Sequence, residues 1–125
     1  MLHQEMEGQV GILLLYICEA HAEDEWPINS SRFNGSRGPV CVRQPTTESE
    51  RIALARRFRE DFPCISQVPM LVDSMDNEFE RLFAPWPLRF FGINGERISY
   101  IARPQNCGYD ILEVVNWCRR AKVAV

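Results

Sequence analysis

The run Val10-Gly11-Ile12-Leu13-Leu14-Leu15-Tyr16-Ile17 is continuously apolar. It does not alternate, so it has no polar face to turn toward water. Such a run predicts a strand buried on both faces, and strands of that kind belong to parallel sheets covered by helices. This requirement directs the chain to an α/β architecture. The run is far short of the roughly 20 residues a membrane span needs. It also lacks the basic leader and small-residue cleavage site of a secretory signal.

The run stops at Cys18-Glu19-Ala20-His21, and acids and Trp26 follow. Ligands of open α/β sheets bind at the carboxyl ends of the strands. Side chains alternate along a strand, so Glu19 and His21 share a face if the chain stays extended. A carboxylate beside an imidazole can orient the ring and keep a proton ready for donation. The pair suits a proton donor or a ligand-hydrogen-bonding site. A loop histidine beside a solvated glutamate fits the same residues. Cys18 is nearest the pair and reads as a small buried hydrophobe or an alternative thiol. Arg89, just past Pro87, reads as a clamp for an anionic or phenolic ligand or as a surface arginine. Trp26, Phe79, Phe83 and Trp86 read as core or rim.

Further along, residues 22–39 are rich in Asn, Ser, Gly and charge, which predicts a long loop. Residues 40–43 fit a short strand. Thr47 and Glu50 form a capping box, and the helix it opens places Ile52, Ala55, Phe58 and Phe62 along one stripe until Pro63. Arg56-Arg57-Phe58-Arg59 reads as the solvated face of that helix. Residues 68–73 predict a second buried strand. Residues 75–83 predict a short helix with Phe79, Leu82 and Phe83 inward. Asn94-Gly95 between two β-rich runs, 88–93 and 96–101, predicts a type I′ hairpin. Asp110 and Glu113 cap a last helix, with Ile111, Val114, Val115 and Cys118 facing the core.

At 125 residues the chain reads as a single domain. Its net charge of −3 excludes an electrostatic nucleic-acid binder. Five cysteines without a C-x-x-C argue against a disulfide scaffold and a structural zinc. With only two histidines no metal site is expected. A soluble chain in a reducing compartment, the cytoplasm, follows from this cysteine usage, and a membrane tether upstream stays compatible with it.

Several stretches resemble the iodothyronine deiodinase family. YICEAHAEDEWP resembles the family's Y-I-E-E-A-H-x-S-D-G-W. QPTTESERIALARRF resembles the capped helix of its microbial-type members. PMLVDSMDN resembles P-V-V-V-D-T-M-D-N, and APWPLRFFGINGERISY resembles A-W-P-E-R-L-Y-V-I…G-x-I-x-Y. NCGYDILEVVNW is similar to G-P-x-G-Y-x-P-E-E-V. The resemblance implies a thioredoxin-like fold: a mixed sheet with a C-terminal β-hairpin and a terminal helix. It implies reductive removal of iodide from a small aromatic, iodothyronine-like substrate by a selenocysteine or cysteine. A thiol reductant serves as co-substrate, with no other cofactor. It assigns Glu19 and His21 to ligand binding and proton relay, Arg89 to the substrate's amino-acid end, and Pro87 to the cis-proline before the hairpin. Cys18 stands where the family has its first Glu, Glu25 where it has Gly, and no histidine lies near Gln44 and Pro45.

The family's nucleophile turn and first strand lie ahead of the Y-I-E-E-A-H strand, so residues 1–125 read as a domain incomplete at its N-terminus. The strand expected between 10–17 and 88–93 must come from a partner copy in a homodimer, from closure of the sheet, or from upstream residues. Two function classes stay open. One is a deiodinase-like oxidoreductase acting on iodothyronines or related halogenated phenols once the upstream selenocysteine or cysteine is present. The other is a non-catalytic thioredoxin-like binding module, or a general thiol and peroxide redox protein.

Overall fold

The computed structural model describes residues 2–27 and 41–123. The elements are α1 (Leu2–Glu5), β1 (Leu14–Tyr16), α2 (Glu48–Asp61), a 3₁₀ turn (Pro63–Ile65), β2 (Met70–Val72), α3 (Glu78–Phe83), β3 (Phe91–Asn94), β4 (Arg97–Ile101) and α4 (Ile111–Val123). The mixed α/β composition matches the sequence reading. In place of one mixed sheet, the described residues form two two-stranded sheets, β1 with β2 and β3 with β4. Of the expected strand at 40–43, Val40 lies outside the described residues, and 41–43 run as irregular chain. Most of the expected loop at 22–39 also lies outside them. The chain divides into two units: Leu15–Pro87, and the stretch up to Leu14 together with that from Leu88 onward.

In the Leu15–Pro87 unit, α2 begins at the expected capping box. The Thr47 hydroxyl accepts from the Glu50 N–H, and the Glu50 carboxylate accepts from the Thr47 N–H. Ala55 is buried, and Phe58 meets the Tyr16 ring at 6.0 Å between centroids. The predicted stripe fades at its end, where Phe62 is 48% exposed. Arg59 is not free on a solvated face; its guanidinium donates to the Ser66 and Val68 carbonyls and folds the chain back after Pro63.

β1 is three residues long and half-buried, not enclosed on both faces. Alternation explains this: Tyr16 turns toward α2, while Leu15 lines an open groove of about 380 Å³ with Leu71, Phe79, Leu82 and Phe83. α3 is shorter than predicted because Asn77 (φ 53°) and Ala84 (φ 45°) are both left-handed and bracket it. Phe79 and Phe83 stack at 4.5 Å, whereas Leu82, expected inward, is 71% exposed.

In the other unit, Asn94 pairs with Arg97, so Gly95 and Glu96 are the turn residues. Only Gly95 has a positive φ there (59°). A type I′ turn needs two such residues, so the expected I′ hairpin gives way to the II′ pattern, with glycine first. Ser99 is the extra residue of a bulge, between the pairs Ile93–Ile98 and Gly92–Tyr100. Gly92 lies against the Trp117 ring so closely that any Cβ would overlap it. Trp117 in turn stacks on Tyr100 at 5.4 Å. Asp110 caps α4 through the Leu112 N–H, and Cys118 is buried as predicted. Ile111, expected to face the core, is 54% exposed.

Candidate functional site

Glu19 and His21 lie where the chain leaves β1, in the Leu15–Pro87 unit, and both are half-buried. Their side chains take different partners. The Glu19 carboxylate accepts from the Tyr16 hydroxyl, one turn of chain back. The Nδ1 of His21 lies 3.1 Å from the Trp26 carbonyl. A carbonyl only accepts, so this bond places a proton on Nδ1 and makes Nε2 the atom that exchanges one. The orienting group for the imidazole is thus Trp26, where the sequence pointed to Glu19.

Gln44 holds this loop. Its Oε1 accepts from the Glu19 N–H at 2.9 Å, and its Nε2 donates to the Glu19 carbonyl at 3.0 Å. The same Nε2 donates to Glu25 Oε2 at 2.9 Å, and the Gln44 N–H donates to Asp24 Oδ1 at 2.9 Å. That last bond, with Arg43 nearby, holds the Asp24 carboxyl below its usual range. One side chain therefore fixes the peptide that carries Glu19 and the turn after His21. Ala22, fully buried between them, accepts from the Trp26 N–H.

Beneath the loop, Arg51 is 2% exposed and donates through Nη1 to the Asp73 and Ser74 carbonyls. Asp73, also buried, accepts from the N–H groups of Ser74, Phe79 and Glu80, which secures the start of α3. Burial, with the bond to Glu19, drives the Tyr16 phenol well above its ordinary range and keeps it a donor. Burial, then the Glu80 charge, also pushes the Cys18 thiol up. The cysteine nearest His21 is therefore a poor thiolate at neutral pH. All five cysteines are free thiols.

The Trp86–Pro87 bond is cis. The Trp86 ring stacks on Trp26 at 6.3 Å, and Trp26 meets the His21 ring at 4.9 Å. Neither tryptophan is core: Trp26 is 63% exposed and Trp86 38%. Arg89 belongs to the other unit, half-buried ahead of β3, with its Nε enclosed and unpartnered among the described residues. A concavity of about 340 Å³ in that unit is lined by Arg103, Gln105, Tyr109, Asp110 and Glu113. Neither this hollow nor the apolar groove includes His21. No cluster of metal-ligating side chains occurs among the described residues, and no helix there is long and apolar enough to cross a membrane.

Sequence reasoning missed Gln44, Tyr16 and the Trp26 carbonyl as parts of the site. The Glu19–Gln44 contact spans 25 residues, and no local spacing announces it.

The family model for iodothyronine deiodinase matches residues 1–122. The chain belongs to the iodothyronine deiodinase family. Among the family's members, the type I iodothyronine deiodinase of Xenopus laevis is 26% identical over 121 residues, 97% of this chain and 44% of that protein. The human type II iodothyronine deiodinase is 26% identical over 119 residues, 95% of this chain and 42% of that protein. The thyroxine 5-deiodinase of Gallus gallus is 28% identical over 110 residues, 88% of this chain and 39% of that protein. The chain thus spans less than half the length of these relatives. The family match takes in the first eight residues as well, ahead of the stretches whose resemblance was visible.

Proposed function

We propose that the chain is the proton-handling and substrate-holding part of a reductive deiodinase acting on iodothyronines or related halogenated phenols. The observation that carries this reading is the tethering of His21 at Nδ1, which frees Nε2 to deliver a proton beside an aromatic surface. The family match supports the reaction class.

In this reaction a selenolate or thiolate, supplied together with this chain, takes iodine from the ring carbon. The C–I bond breaks, a chalcogen–iodine bond forms, and the ring carbon gains the proton held by His21. One thiol then displaces iodide and leaves a mixed disulfide or selenenyl sulfide. A second thiol releases the nucleophile as a disulfide forms. The balance is one aryl iodide and two thiols in, one deiodinated ring, one disulfide, iodide and a proton out. Glu19, held by Tyr16 and Gln44, binds the substrate's polar end near His21; Arg89, in the other unit, is proposed separately as a group that binds an anion. A thioredoxin-like fold and a homodimer accompany this reading, the first supported by the order of helices, strands and hairpin.

The test uses the protein made from its full native transcript, with an iodothyronine and dithiothreitol. Iodide, deiodinated product and oxidised thiol in equal amounts are expected. Thiol oxidation without iodide release contradicts the proposal. Burial and the Glu80 charge push the Cys18 thiol up, which disfavours it as a replacement nucleophile, and the second reading is a non-catalytic binding module. Binding of an iodothyronine without turnover, from the same transcript, would select it.

A further inference from the structure

Tryptophan is among the most buried side chains on average, so a pair of indoles left in water at one spot is informative. Trp26 and Trp86 form such a pair. Their rings lie within 29° of parallel at 6.3 Å, and the more exposed of the two sits against His21. Both are pinned at the backbone: the Trp26 N–H donates to the buried Ala22 carbonyl at 3.0 Å, and the Trp86 N–H donates to Glu80 Oε2 at 3.1 Å. The rings also pack on each other, and Trp26 on His21, so a broad aromatic surface is presented on a fixed backbone. The chain that leads into it is acidic, with Arg43 set against Asp24. Glu23, Asp24 and Glu25 lead into Trp26, and Glu80 holds Trp86. Such an edge repels an anionic group and accepts an uncharged ring.

We infer that the Trp26–Trp86 pair is a stacking platform for the uncharged aromatic ring of a small phenol, seated beside His21. The platform stands on this geometry, while the phenolic class of its ligand rests on the proposed deiodination. Stacking on an indole face gains dispersion and quadrupole energy with any flat ring, most with polarisable substituents. Trp26 also links the platform to the chemistry, because its carbonyl carries the bond to His21 Nδ1.

The experiment is equilibrium dialysis of 4-iodophenol and 4-methylphenol against the protein and its Trp26→Leu, Trp86→Leu and Trp86→Phe variants, at a pH where both phenols are neutral. Circular dichroism of each variant separates binding from folding. Each leucine variant should weaken 4-iodophenol binding by about threefold to tenfold, the range expected for one aromatic stacking contact. Trp86→Phe should restore most of it. Folded leucine variants that bind 4-iodophenol as tightly as the native protein would overturn the platform. Loss confined to Trp86→Phe, with Trp86→Leu unaffected, would overturn it too. Tryptophan-dependent binding that is equal for both phenols supports the platform and removes its support for iodine chemistry. The two proposals therefore fail separately.

Discussion

His21 is tied at Nδ1 by the carbonyl of Trp26, directly after the acids that follow it, and Gln44 ties the peptide two residues before it. The imidazole is thus held from both sides by neutral, backbone-directed bonds. Removing the Gln44 side chain leaves the Glu19 N–H and carbonyl to solvent and frees the turn that carries Trp26. Gln44→Ala should lower the deiodination rate about 10- to 100-fold, the cost of roughly 1 Å of misplacement, with a smaller change in KM. Steady-state kinetics on an iodothyronine checks this, and an equal loss from Gln44→Glu would tie the effect to the amide donor. The sequence placed Glu19 and His21 at one strand exit, but their side chains take separate partners, Tyr16 and the Trp26 carbonyl. Gln44 was not legible, because an amide that pairs with a peptide far along the chain leaves no periodic trace. For the tryptophans the sequence left core and rim open, and packing puts Trp26 and Trp86 at the rim.

Among the elements, α2 is the most legible, since Thr47 and Glu50 announce their own hydrogen bonds. Thr47→Ala should cost about 0.5–2 kcal/mol in chemical denaturation. The Glu50 carboxyl is held below the ordinary glutamate value, chiefly by the Thr46 N–H and then its hydroxyl. A folded pKa below the unfolded one gives stability that is complete above the unfolded value, about 4.3, and lost as pH falls through the folded value. Thermal melts should show this acid-side loss, and Glu50→Gln should flatten it. The hairpin was legible in place but not in kind. Asn94-Gly95 marks a turn, yet the Asn94–Arg97 pairing puts glycine first and reads the chain one residue later. The bulge at Ser99 has no signature in its own sequence. The sequence does not single out Gly92, whose role appears only with Trp117 packed against it. Gly92→Ala should destabilise by about 1–3 kcal/mol, as overpacking does, measured by urea unfolding.

Across the chain, the expectation of a strand buried on both faces proved too strong. Length and apolarity predict that a strand can be covered, but the covering comes from elsewhere in the chain. Here α2 covers the Tyr16 face, and the Leu15 face opens on the groove with Leu71 and Leu82. Family membership, by contrast, was legible from several stretches in order along the chain, and the family model matches residues 1–122. The measurement to make is deiodination by the protein from its full native transcript, native against His21→Gln, with iodothyronine binding measured on both. The account predicts a rate loss of about 10²- to 10⁴-fold, the span of general acid catalysis, with affinity changed only a few-fold. A His21→Gln protein that releases iodide at the native rate would contradict it.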